Sequence, residues 1–262
     1  MVLGIALLGA MPASAQSTTP FEISDNSFLV EEALNQEPGV FQNIGTFRRS
    51  DGGDWEIGLT QEWPVLTQRH QLSYTVPVAS RGSERGFGDA FIHYRLQVSG
   101  GSGTALAFSP RVSLVLPSGR ASRGLGNGSI GWELNLPVSK QVRDLYFHLN
   151  AGATHFPAAE VDGAEFNLLT PRVAGSAIWR ARPMVNLMLE TVVDWPEDVA
   201  SAANGTTERH ATVTVVPGVR TGWDVGDAQA IVGLGVPIVS SAGDRSAGVL
   251  LYFSYELPFA RP

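Results

Sequence analysis

Cysteine is absent from the 262 residues. That excludes disulfides, thiolate metal sites, a cysteine nucleophile and a lipid anchor on a processed N-terminal cysteine. Lysine is nearly absent as well: Lys140 is the only one, so the basic residues are almost all arginine. Charged residues of both signs make up only 16% of the chain, against about a quarter in soluble domains. The net charge of −7 argues against the extended basic surface that a nucleic-acid binder needs, so no nucleic-acid partner is expected. Beyond the N-terminus no run of about 18 apolar residues occurs, so no membrane-spanning helix is available. Yet 44% of the residues are hydrophobic, too many for a disordered chain. They must be buried in a core or displayed in an alternating, lipid-facing band.

The first residues read as an export signal. Val2 to Met11 are apolar, and Ala13-Ser14-Ala15 before Gln16 fits a signal-peptidase site. Residues 1–15 are therefore expected to be a signal peptide, although the basic stretch that usually opens one is missing. Residues 16–37 are polar and mixed, a lead-in that is either periplasmic or lumenal. Residues 38–262 form the expected barrel domain.

After Pro38 the hydrophobic period is two, the signature of strands whose side chains alternate between faces. About twelve such segments follow, each near the ten residues that a tilted membrane strand requires. Trp55, Ile57 and Leu59 alternate with Glu56 and Gly58; Ile92, Tyr94 and Leu96 with His93 and Arg95; Trp132 and Leu134 with Glu133 and Asn135. The last segment sets Val249, Leu251, Phe253, Tyr255, Leu257 and Phe259 on one face, and Ala260-Arg261-Pro262 follow it. Only the register around 166–180 is ambiguous, because Leu168 and Leu169 are adjacent. Connections alternate in length. Pro64 to Gln68, Ser99 to Gly103, Lys140 to Arg143 and Arg180 to Pro183 are short; Ala79 to Gly88, Pro117 to Gly128, His155 to Glu165 and Trp195 to Glu208 are longer. Trp55, Trp63, Tyr74, Trp132, Trp179, Trp195, Trp223 and Phe259 fall near strand ends, where amphipathic rings favour the headgroup layer. The expected fold is all-β: an antiparallel transmembrane β-barrel of about twelve strands, of outer-membrane type, with short periplasmic turns and longer extracellular loops. The expected location is the outer membrane of a Gram-negative bacterium. A soluble barrel alternates too, but its outer face would carry many Lys and Glu.

If the apolar faces meet lipid, the other faces line the lumen. The pore-lining candidates are Glu56, Glu62, Asp89, His93, Arg95, Arg111, Glu133, His148, Arg172, Glu190, Asp194, Arg220 and Glu256. Two readings stay open: a pore whose mixed charges guide a polar solute, or an internal ion-pair network that fills the barrel. Catalysis requires a nucleophile beside a base. His148 with Asn150 resembles half of a Ser-His-Asn site of an outer-membrane lipase or deacylase, but no serine stands beside them in a distinctive motif, and no enzymatic activity is expected. His155 near Glu160 and Asp162 reads as solvated loop charge, so no cofactor or metal is expected. A structural or adhesive barrel with partner-binding loops is the other alternative to a channel.

Several phrases carry a resemblance: Asp25 to Ala33, Asn35-Gln36-Glu37, Thr60 to Pro64, His70 to Pro77, Pro110 to Gly119 and Asn150 to Thr154. They resemble the outer-membrane transporter family linked to a phenol-degradation (meta-cleavage) pathway. The likeness runs from about residue 25 to the C-terminus. It implies a barrel and a transport role, and no functional residues to carry over. The partners expected are outer-membrane lipid and lipopolysaccharide, the barrel assembly machinery acting through the C-terminal strand, and a small-molecule solute of unknown identity.

Overall fold

The structure is a computed structural model that describes residues 25–100, 106–226 and 228–259. The expected signal peptide and Ala260-Arg261-Pro262 lie outside the described residues. In chain order the strands are β1 (Val40–Ser50), β2 (Trp55–Val65), β3 (Thr67–Arg81), β4 (Glu84–Phe87), β5 (Ala90–Leu96), β6 (Ala107–Phe108), β7 (Arg111–Leu116), β8 (Gly131–Asn135) and β9 (Val138–Val142). They continue with β10 (Leu145–Val161), β11 (Ala164–Arg182), β12 (Val185–Asp194), β13 (Glu197–Ser201), β14 (Thr206–Arg209), β15 (Thr212–Val225), β16 (Ala228–Gly235), β17 (Ile238–Ser241) and β18 (Asp244–Pro258).

Sixteen of these form one antiparallel sheet, and β18 pairs with β1 from Val40↔Pro258 to Ser50↔Gly248. The sheet therefore closes into a barrel and has no free edge along this seam. The staves number twelve, because β4/β5, β6/β7, β8/β9 and β16/β17 are each one stave broken in two. Three breaks fall at Pro110, Pro137 and Pro237, where proline has no N–H to give to the ladder. Pairing resumes at once: Ser109 N–H reaches the Pro137 carbonyl at 3.1 Å, and Val236 N–H reaches that of Pro217 at 3.0 Å.

The barrel is inside-out relative to a soluble domain. Outward residues such as Leu59 (56% exposed), Trp132 (52%), Leu149 (61%) and Leu189 (52%) are bare, while inward Gln42, Gln71 and Glu190 are fully buried. An apolar exterior around a polar interior is stable only in lipid, because water would leave the outer surface unburied. The uncertain stave, β11, resolves with Arg172, Ala174, Ser176 and Ile178 inward and Val173 and Trp179 outward.

Both chain ends of the barrel lie at one rim, here the terminal rim, whose connections include the single residue Leu66 and the pairs Arg143-Asp144 and Pro183-Met184. The opposite loop rim carries residues 117–130 and 195–211. Two connections expected to be long loops, Ala79 to Gly88 and His155 to Glu165, are instead mostly strand. At the second, Asp162 (φ 51°) and Gly163 (φ 79°) form a two-residue turn whose twist lets β10 and β11 continue beyond the band. The 195–211 connection folds into the β13–β14 hairpin and leans on β11, with Arg209 donating to the Leu169 carbonyl at 3.0 Å. There the Thr207 hydroxyl and the Leu169 amide donate to Glu197 and, with Arg209, hold its carboxyl below the usual range.

Candidate functional site: a chain segment seated across the lumen

Residues 25–37 have no regular secondary structure and lie inside the barrel. A segment without helix or strand must find partners for its backbone elsewhere. Here the inward side chains of the staves supply them. Three consecutive amides, Phe28, Leu29 and Val30, converge on the Glu190 carboxylate of β12 at 2.8, 2.8 and 3.1 Å. Asn150 of β10 accepts the Glu31 N–H and donates to the Glu31 carbonyl, both at 2.9 Å, as a neighbouring strand would. Ala33 is gripped from both sides: its N–H donates to Ser139 Oγ at 2.7 Å and its carbonyl accepts from Ser109 Oγ at 2.6 Å. Arg95 of β5 donates to the Glu32 and Leu34 carbonyls and to Asn35 Oδ1 at 3.2, 2.8 and 2.9 Å. On the far wall Arg220 of β15 donates to the carbonyls of Asp25 and Asn26 at 3.1 and 2.6 Å. The segment thus traverses the lumen from β15 to β5.

An apolar anchor accompanies the polar seat. Phe28 is 6% exposed and packs with Ile178, Met188, Val216, Ile231, Leu250 and Tyr252. Glycine makes the room. A Cβ on Gly218 or Gly233 would stand 2.4 Å from the Phe28 ring, and one on Gly235 would stand 3.1 Å from it. Tyr252 closes the socket, its ring centroid 5.7 Å from that of Phe28 and its hydroxyl donating to Asp25 Oδ2 at 2.8 Å.

The candidate residues divide by what they touch. Glu190, Arg95 and Arg220 hold the segment as described. Arg172 reaches the Leu29 carbonyl at 3.3 Å and pairs with Asp194 at 3.7 Å. Arg111 pairs with Glu31 of the segment at 2.7 Å and with Glu133. Glu62 accepts from Gln71 at 2.6 Å and lies 3.9 Å from Arg95. His93 is bonded to Ser113 at 2.7 Å and to Thr75 at 3.1 Å. Glu56 pairs with Arg48 and Arg81 at 2.5 and 2.8 Å, nearer the loop rim, while Glu256 lines the cavity at the terminal rim. Asp89, nearer the loop rim, accepts from the amides of Gly119 and Asn127 at 3.0 and 2.7 Å and so ties down the 117–130 loop.

His148 does meet a serine, Ser139, across the β9–β10 register at 2.7 Å. Both are buried, Ser139 Oγ is occupied by the Ala33 amide, and Asn150 is engaged with Glu31. The trio builds the seat. His155 is bonded to Asn167 at 2.8 Å, and among the described residues no group of three or more metal-ligating side chains gathers.

Sequence reasoning missed Ser109, Ser139, Gln71 and Tyr252 because it followed charge, and it read Asn150 only as a partner of His148. The usable signal was the inward glycine pair Gly233 and Gly235, which leaves a hollow in the wall that a ring must fill.

Water-sized space remains on both sides of the segment. Towards the terminal rim, a cavity of about 770 Å³ is lined by Glu32, Leu34 to Glu37, Gln97, Gln229 and Glu256. On the other side, cavities of about 290, 280 and 120 Å³ all touch Leu29.

Two solved structures share this architecture. An outer membrane channel from Pseudomonas putida superposes with a TM-score of 0.63 at 14% identity, covering 86% of this chain and 97% of that one. This protein has the fold of an outer-membrane β-barrel. The NanC porin is similar too, with a TM-score of 0.54 at 10% identity over 84% of this chain and all (100%) of its own. No family model matches the sequence, and no curated protein matches it.

Proposed function

We propose that this protein is a Gram-negative outer-membrane channel for small molecules, closed by its own residues 25–37 and opened when that segment leaves its seat. The observation that carries the reading is the polar segment lying between water-sized cavities inside a lipid-facing barrel. A barrel that served only as a structural wall would be expected to fill its lumen with side chains from the staves themselves. The channel-type barrels that share the fold support the same role. The resemblance to an outer-membrane transporter family supports a transport role. The cavity bounded by Ile44, Thr46, Thr60, Phe91 and Tyr252 offers a solute both rings and hydroxyls.

Planar-bilayer recordings test this. The full-length protein is expected to show rare, brief openings, and a variant lacking residues 25–37 long ones. A folded, segment-deleted barrel that never conducts would end the channel reading.

The C-terminal strand is the proposed contact with the barrel assembly machinery. Phe259 is 52% exposed and sits in a rim cluster with Trp63 and Phe41, at 5.7 and 6.1 Å between ring centroids. Phe259→Ala is expected to lower the yield of folded protein in the outer membrane severalfold while leaving refolding in detergent unchanged. Equal membrane yields would remove Phe259 from that role.

A further inference from the structure

The outward face near the loop rim carries a row of side chains unlike the apolar rows beneath it. Register pairs place Arg49, Trp55, Ser80 and Arg85 side by side on β1, β2, β3 and β4. One outward step toward the membrane centre, the same four strands present Phe47, Ile57, Val78 and Phe87. The row of arginines therefore stands directly above the apolar band, at the level where lipid headgroups begin. Three strand spacings separate Arg49 from Arg85, about 14 Å, with the amphipathic indole of Trp55 between them.

Neither arginine has a hydrogen bond or ion pair among the described residues, and both are exposed. The acids of this corner are already engaged. Asp54 accepts from the Gly82 amide at 2.8 Å, and Asp51 from that of Ala247 at 3.1 Å. Glu56 faces inward on Arg48 and Arg81, and Glu84 pairs with Arg123 at 3.4 Å. Two free guanidinium groups thus flank an aromatic ring on the wall of a chain whose net charge is −7. Guanidinium is suited to phosphate, which it binds through two parallel N–H donors.

We infer that Arg49 and Arg85, with Trp55 between them, form a binding site for the phosphorylated headgroup of an outer-leaflet glycolipid. The apolar row below takes the acyl chains, and the two arginines take the phosphates. The site rests on the reading that the barrel lies in the outer membrane with its loop rim outward, but not on its being a channel.

Native mass spectrometry of the full-length protein in mild detergent tests it, with synthetic diphosphoryl lipid A and its dephosphorylated counterpart as probes. The wild-type protein is expected to retain the diphosphoryl form at least tenfold better. Arg49→Gln with Arg85→Gln is expected to reduce that retention to the level of the dephosphorylated lipid. Arg143→Gln with Arg182→Gln, at the opposite rim, is expected to leave it unchanged. Heat-modifiable mobility reports whether each variant is folded. Equal retention of the two lipids by the wild-type protein overturns the site without recourse to any variant, as does full retention by the folded Arg49/Arg85 variant. Complete displacement by millimolar inorganic phosphate overturns it too, leaving only a general anion site. A barrel that fails to conduct leaves these outcomes untouched, so the two readings fail separately.

Discussion

Glu190→Ala is expected to leave the barrel folded and to open it. The carboxylate is fully buried and accepts three successive amides of the lumenal segment. Alanine removes the charged acceptor and strands three N–H groups in an enclosed space, a loss on the order of 3–5 kcal/mol for a buried partner of this kind. Each 1.4 kcal/mol is a factor of ten, so the unseated population should rise by about two to three and a half orders of magnitude. The barrel keeps its fold, because residue 190 lies on the inward face and the lipid-facing surface is unchanged. Open probability in bilayers and protease cleavage within residues 25–37 should increase together. Glu190→Gln, which retains one acceptor oxygen and the side-chain shape, should fall between the two. A folded Glu190→Ala barrel as closed and as protease-resistant as the wild-type protein would show that this carboxylate does not hold the segment.

Phe28→Ala and Gly233→Ala are expected to unseat the same segment by opposite changes of volume. Removing the Phe28 ring leaves a hollow among Ile178, Val216, Ile231 and Tyr252, at a cost of about 3–5 kcal/mol for a buried phenylalanine. Adding a methyl group at Gly233 places a carbon 2.4 Å from the ring, a distance that cannot be accommodated unless the ring moves out. Gly233 has none of the positive φ values found at the turn glycines, so alanine suits the strand backbone, and the barrel wall has only to give slightly at Tyr252, whose Cβ would stand 3.3 Å away. Hydrogen exchange at the amides of residues 28–30 measures both variants. Both should exchange faster than the wild-type protein, and unchanged exchange in Gly233→Ala would mean that the ring does not occupy the glycine socket.

The staves were legible in the sequence because lipid imposes a simple rule. Every outward side chain must be apolar and every backbone N–H must pair within the sheet; a period of two follows, and it is visible in β2, β5, β8 and β12. The ambiguous stretch within β11 was hidden by adjacent Leu168 and Leu169, and only pairing with β10 and β12 selects its register. The length of the β10–β11 hairpin was hidden for another reason: beyond the membrane both faces meet water, so alternation fades although the strands continue.

The seat for residues 25–37 was not legible. Its bonds run from side chains to backbone across large sequence separations, 119 residues from Asn150 to Glu31 and 195 from Arg220 to Asp25. Such bonds impose no period and require no particular residue type in the segment itself. Inward charges could be assigned to the lumen from the sequence, but their partners could not. By itself the sequence determined a lipid-facing barrel of about twelve staves and which side chains point inward. Only the tertiary structure decided what those inward groups hold, because barrel closure brings β5, β10, β12 and β15 around one strand-free stretch of chain, and no local pattern encodes that meeting.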